Sequence, residues 1–186
     1  MNEHQPETPS SPMDDEQLRE QLERLHAMSF GWALSCCSSD HNEAEDILQM
    51  VYQKILEGRA RYDGRSAFKT WLFAVIRNTA AGERRRNWIR NLRLGSFQKE
   101  HEKDYQPADK GESLDGAEKA ALFREKMATL PRRQGEILHL VFYQNLTIEA
   151  SAKAMGVSLG SARTHYDRAK KHLGELLKQT GHFHEY

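Results

Sequence analysis

Along most of this chain apolar residues recur at steps of three and four, which places them on one side of a helix, and no stretch alternates convincingly as a strand. Leu18, Leu22, Leu25, Trp32 and Cys36 form such a series and predict a first helix over residues 14–38. Ile47, Leu48, Val51, Tyr52, Ile55 and Leu56 predict a second over 43–57, which Gly58 ends. After the turn-like Tyr62-Asp63-Gly64-Arg65-Ser66, a third helix carries Phe68, Leu72, Val75 and Ile76 inward and runs into Arg84-Arg85-Arg86. Residues 95–116 are polar, charged and without periodicity, the composition of a flexible tether. Beyond them Phe123, Met127 and Leu130 mark a helix, Pro131 opens the next, and Ile137, Leu138, Val141 and Phe142 supply a face for the helices that follow. The expected fold is therefore all-α, with two small helical domains, 14–94 and 117–178, joined by a flexible acidic linker at 95–116. Residues 1–13 and 179–186 are expected to be tails.

Leu146 to Leu173, LTIEASAKAMGVSLGSARTHYDRAKKHL, has the spacing of a helix-turn-helix. Thr147 caps a short helix ending near Met155, Ala152 is small where two helices approach, and Gly156 takes the positive φ of a sharp turn. Ser158 caps a second helix. On it Leu159, Ala162, Tyr166, Ala169, Leu173 and Leu176 form an apolar stripe, while Ser161, Thr164, Arg168 and Lys171 fall on another face. That polar face suits a DNA major groove, although a solvated helical hairpin that touches no DNA has the same pattern.

Charge sharpens this picture. The 186 residues carry 27 basic and 27 acidic side chains, and the zero balance conceals a segregation. Residues 1–58 hold 3 basic and 12 acidic residues, 59–93 hold 10 and 2, 94–118 hold 3 and 7, and 119–180 hold 11 and 5. Two basic blocks separated by an acidic stretch point to two polyanion-binding surfaces joined by a linker that avoids the polyanion; merely solvated faces are the plainer alternative. Trp71, Asn78 and Arg85 fall two turns apart on one helical face, with Lys69, Arg77, Arg84 and Arg86 beside them. An aromatic, an amide and a cationic track are what a single strand of DNA requires, although Trp71 has a rival reading as core. The run Arg84 to Arg86 has little packing use, and phosphate is its natural ligand. No segment has the length of a membrane span or the pattern of a signal peptide, so a soluble cytoplasmic protein is expected. Cys36 and Cys37 are adjacent, poorly placed for a mutual disulfide, and Cys36 continues an apolar series, which makes it core.

The run Ala44 to Arg86, AEDILQMVYQKILEGRARYDGRSAFKTWLFAVIRNTAAGERRR, resembles region 2 of bacterial RNA polymerase sigma factors, and the helix-turn-helix resembles their region 4. With only these two regions, in this order, the chain is identified as a member of the extracytoplasmic-function (ECF) class of the sigma-70 family. The resemblance implies a factor that binds core RNA polymerase, directs it to promoter DNA and assists strand opening. It places the polymerase contact on Asp46, Gln49 and Gln53, which share the face opposite the apolar stripe. It makes the loop Tyr62 to Ser66, with Gly64 and Arg65, part of a pocket with Asn78 for a base flipped from the minus-10 element, flanked by Lys69, Trp71, Arg77 and Arg84 to Arg86. It assigns minus-35 reading to Arg163, Thr164 and Arg168, with Ser161 and Lys171 on phosphates. An anti-sigma factor is an expected further partner. Three departures stand out: Ser151 and Ala162 replace larger aliphatic residues, His165 and Tyr166 replace a basic and an aliphatic one, and Gly82 replaces a commonly acidic position, where it is expected to end the third helix early or loosen it.

An enzyme is not expected, nor a cofactor or metal. The chain has no phosphate-cradling glycine loop, no clustered carboxylates for a nuclease, and scattered histidines, with His182 and His184 too few to make a metal site. A stand-alone helix-turn-helix regulator is the alternative function, but it has no need of the Ala44 to Arg86 region.

Overall fold

The first three helices begin and end where local chemistry tells them to. In the computed structural model, which describes residues 13–93 and 114–179, α1 runs Asp15–Cys36, α2 His41–Leu56 and α3 Phe68–Arg93. Asp14 caps α1 by accepting from the Gln17 N–H at 2.8 Å, and Asp40 caps α2 by accepting from the N–H groups of Asn42 and Glu43. Trp32, Ala33, Ile47, Val51, Leu72, Phe73 and Ile76 are fully buried where these helices meet. The Trp32 indole donates to the Phe73 carbonyl at 2.9 Å, so its one polar atom enters the core satisfied. Three expectations are corrected. Leu56 is exposed at the end of α2, Val75 is only half-buried while Phe73 takes the inner position, and Gly82 does not interrupt α3, which continues to Arg93. One poor helix former inside a long hydrogen-bonded run costs too little to stop it.

The second bundle comprises α4 (Leu114–Ala128), α5 (Arg132–Leu138), a π-helical turn at His139–Tyr143, α6 (Ile148–Met155) and α7 (Leu159–Gln179). α4 starts three residues inside the stretch expected to be linker; the rest of that stretch, and both tails including His182 and His184, lie outside the described residues. The helix-turn-helix forms as its sequence dictates. Thr147 Oγ1 accepts from the Ala150 N–H, Gly156 closes α6 at φ +63°, and Ser158 Oγ accepts from the Ser161 N–H. Ile137, Leu138, Leu140, Met155, Ala162 and Ala169 are buried between α5, α6 and α7. Ser151 and Ala162 are fully buried, so the hairpin fits small side chains where larger ones were expected. Val141 is half-buried, and Phe142, expected inside, is largely exposed, stacking on Tyr166 at 6.4 Å.

The two bundles touch. α3 packs along α6, and the π turn meets α1. At the seam the Arg77 Nε donates to Glu136 Oε2 at 3.0 Å with both side chains buried, and Arg132 reaches the other carboxylate oxygen at 3.0 Å. Lys69 Nζ donates to the Gln144 carbonyl at 2.7 Å, and the Gln144 amide donates to the Met28 carbonyl. The His139 ring lies 5.4 Å from Trp32 and 5.3 Å from Tyr143, and burial pulls its imidazole down to about 4.

Two predictions follow from these contacts. Alanine at two glycines should act with opposite signs: Gly82→Ala, with open space around the added Cβ, should raise stability by about 1 kcal/mol, and Gly156→Ala should lower it by a similar amount because its φ is positive. Urea midpoints of the two variants check this, and shifts of the same sign would contradict it.

The second concerns the seam. Glu136→Gln leaves Arg77 buried without its counter-ion and should shift the chain toward an open form, seen as a larger radius of gyration in solution scattering. Acid should act in the same direction. The closed form keeps His139 neutral, whereas an exposed imidazole takes up a proton near pH 6.5, so closure is lost as pH falls from about 6.5 toward 4. His139→Phe should flatten that response, and a radius independent of both pH and Glu136 would refute the account.

Candidate nucleic-acid interface

Helix α2 offers its polar side to solvent. Asp46, Gln49 and Gln53 are exposed, and Gln53 donates to Glu57 at 2.8 Å. Gln49 also borders a shallow hollow between α1 and α2 lined by His26, Phe30, Glu45, Leu48 and Tyr52, in which His26 and Tyr52 share a hydrogen bond of 3.0 Å. This face joins apolar surface to free amides and a carboxylate, a combination suited to a partner helix.

The loop before α3 is held in shape from within. The Tyr62 hydroxyl donates to the Ser66 carbonyl, and the Tyr62 ring packs edge-on against Phe68 at 5.3 Å and near Trp71 at 5.4 Å. Gly64, at φ +73°, makes the bend, and the Arg65 N–H donates to Asp63 Oδ1. The result is a closed loop with Arg65 projecting into solvent, Ser66 and Trp71 half-buried, and Asn78 exposed two turns along α3. Trp71 is half-buried, its ring resting on Phe68 and Tyr62.

The cations expected beside this pocket divide into two sets. Arg85 and Arg86 are exposed, Arg86 pairing with Glu83 at 2.6 Å. Lys69, Arg77 and Arg84 instead turn toward protein. Lys69 is bound to Gln144, and burial draws its ammonium below the ordinary lysine range. Arg77 is consumed by Glu136, which corrects its placement on an open cationic track in this arrangement. Arg84 donates to the carbonyl of Cys36, the last residue of α1, and so satisfies a helix C-terminus. Arg133 does the same for Met155 at the end of α6.

On α7, Ser161, Thr164, Arg168 and Lys171 lie within about 80° of one another around the helix and are all exposed. Thr164 Oγ1 donates to the Gly160 carbonyl at 3.0 Å, while Arg168 and Lys171 find no partner among the described residues. Arg163 is exposed too, but five residues before Arg168 it projects about 140° away. The five residues therefore form a four-membered face with Arg163 on its flank. Tyr166, half-buried, holds Phe142 on one side and Lys170 over its ring at 5.2 Å.

Glu136, His139 and Gln144 were not singled out by the sequence. Glu136 is the one acid between Glu125 and Glu149, beside Arg132 and Arg133, a spacing that predicts local ion pairs but not a pair with Arg77. Cys36 and Cys37 are both buried free thiols; burial pushes both up, Cys37 to about 12, which keeps them protonated and unreactive. No cluster of three or more metal-ligating side chains occurs among the described residues, and no helix there is long and apolar enough to cross a membrane.

Both bundles match known protein families. Residues 22–90 match the Sigma-70 region 2 family and residues 120–173 match Sigma-70, region 4. The ECF RNA polymerase sigma factor SigX of Bacillus subtilis is 31% identical over 152 residues, covering 75% of each chain. HrpL, an RNA polymerase sigma factor of Pseudomonas syringae, is 24% identical over 179 residues, 93% of this chain and 92% of its own. Among solved structures, the sigma factor RpoE of Bartonella quintana, in complex with the anti-sigma factor NepR, superposes with a TM-score of 0.71 at 24% identity over 88% of this chain and 98% of its own. CnrH, in complex with the cytosolic domain of CnrY, gives 0.59 at 16% identity, over 89% of this chain and 90% of its own, so these two likenesses speak to the fold. With both regions matched in order and a relative of this identity and coverage, the chain belongs to the ECF class of sigma-70 RNA polymerase sigma factors.

Proposed function

We propose that this sigma factor joins core RNA polymerase through the α2 face of Asp46, Gln49 and Gln53 and divides promoter recognition between its two bundles. The loop Tyr62 to Ser66, with Gly64 and Arg65, and the Asn78 amide hold a base of the melted minus-10 strand. Trp71 supplies its accessible edge, and Arg85 and Arg86 hold the backbone. Helix α7 lies in the major groove at the minus-35 element, where Thr164 and Arg168 read bases, Ser161 and Lys171 hold phosphates, and Arg163 reaches a separate base or the groove wall from the flank. The observation that carries this reading is the pairing of two exposed DNA-type surfaces, a rigid loop with Asn78 and the α7 face, on one chain that matches both sigma regions. The chain acts in the cytoplasm by positioning strands and carries out no reaction itself.

The closed arrangement is the resting form. Separation of the bundles on polymerase frees Lys69 and Arg77, which then join the minus-10 track alongside Arg85 and Arg86, while Arg84 stays on the end of α1. An anti-sigma factor is a further partner of the chain, as NepR is in complex with RpoE. Domain limits near 14–94 and 117–178 follow from this division of labour.

Reconstitution with core polymerase on a promoter library, reading transcript starts, tests the function directly. The chain should co-elute with core enzyme, and alanine at Asp46, Gln49 and Gln53 together should weaken that complex without unfolding the protein. Unchanged affinity in a competition titration would move the interface elsewhere.

The two kinds of α7 contact should separate in binding assays on the assembled holoenzyme. Arg168→Ala should cost about 1–3 kcal/mol at the preferred upstream element and relax base choice there. Lys171→Ala should weaken all sequences alike and reduce the salt slope by about 1. If Arg168→Ala lowers binding to every upstream sequence equally, α7 is an electrostatic anchor and not a reader.

A further inference from the structure

The last part of α3 does something the assigned surfaces do not explain. Its last buried residue is Ala80, yet the helix continues thirteen residues further to Arg93. That extension carries Arg84, Arg85, Arg86, Arg90 and Arg93 against the single acid Glu83. In the middle of these cations stands Trp88, 64% exposed, with Leu92 one turn on and 47% exposed. The other two tryptophans are accounted for: Trp32 is buried on the Phe73 carbonyl, and Trp71 sits in a ring cluster with Tyr62 and Phe68. Trp88 has no ring neighbour and no hydrogen bond among the described residues.

We propose that Trp88 is a stacking platform for an unpaired DNA base, with Arg85, one turn away on the same side of the helix, holding a neighbouring phosphate. The inference rests on the reading of α3 as the strand-facing helix. Trp88 is one turn from Arg85, which falls in line with Asn78 and Trp71, and about 60° round the helix from it, so the platform flanks the far end of that stripe. It stands about 15 Å along the axis from Asn78, too far to share its base, and so engages a different nucleotide. Charge selects the occupant. Arg85, Arg90 and Arg93 are exposed with no acid paired to them among the described residues, which favours a strand that brings phosphates and flat base faces together, whereas an apolar protein helix gains only the Trp88 and Leu92 contact.

The test uses the full chain assembled with core polymerase, comparing Trp88→Phe, Trp88→Leu and Trp88→Ala on a fully duplex promoter and on the same promoter with a pre-melted bubble. All three side chains are solvent-exposed in their setting, and thermal unfolding verifies that the fold is retained. The expected result is that Leu and Ala lower affinity for the bubble template about 5- to 100-fold, while Phe stays within about threefold of wild type and core-enzyme affinity does not change. Binding restored by Leu, or a loss that appears in the core titration, would show Trp88 to be a protein-docking residue and overturn the proposal. Three variants indistinguishable from wild type on the bubble would overturn it equally. A wild-type holoenzyme that fails to initiate would defeat the promoter-opening reading and this inference with it, whereas wild-type initiation with silent variants defeats this inference alone.

Discussion

The relation between the two bundles turns on one carboxylate. Glu136, almost wholly buried, faces Arg77 from the other bundle and Arg132 and Arg133 from its own helix. Taking such charges out of water is costly, and only close pairing in the low-dielectric seam offsets it, so a partly separated arrangement with Arg77 dry and unpaired is the least favourable of all. The seam is therefore closed or fully parted. In the parted state both groups regain water, and the net difference between the two states is small because the interaction that holds the pair replaces hydration of similar strength.

That constraint bears on charge, because docking of the second bundle engages two of the cations of α3. Lys69 donates to the backbone carbonyl of Gln144, the residue after the π turn, and Arg77 to Glu136. Neither can serve a phosphate until the second bundle leaves. The rigid loop at Tyr62 to Ser66, held by its own hydroxyl-to-carbonyl bond and by Phe68, needs no such release. The first bundle thus carries a preformed loop whose electrostatic surroundings depend on where the second bundle sits.

How much of this was legible in the sequence follows from the range of each interaction. Periodicity and caps are local, so α1 through α3 and the helix-turn-helix could be read nearly residue by residue, with Thr147, Gly156 and Ser158 in the roles their chemistry implies. The α7 face was legible for the same reason, though residue spacing alone should have set Arg163 apart from Arg168. What could not be read was non-local. Arg77 and Glu136 are 59 positions apart, and nothing in an arginine on a basic helix distinguishes one bound for phosphate from one bound for a buried acid. The π turn that brings His139 to Trp32 has no sequence signal either, since its residues continue a helical pattern.

The small residues in the helix-turn-helix now acquire a reason. α6 is eight residues long and lies between α3 and α7, with Ser151, Ala152, Ala154 and Met155 all buried. A helix serving two neighbours at once must be thin, and serine and alanine let both approach closely where larger aliphatic residues would hold one of them off. The same choice governs what happens on opening. Hydrophobic cost follows the apolar area exposed: the small side chains of α6 add little of it, and the Trp32–His139 ring contact adds more. Leucines at Ser151 or Ala154 would fill the seam with apolar surface that resists parting and, once parted, adheres to other chains. Small residues on α6 thus let the second bundle approach closely, while the Arg77–Glu136 pair and the Trp32–His139 contact hold it there.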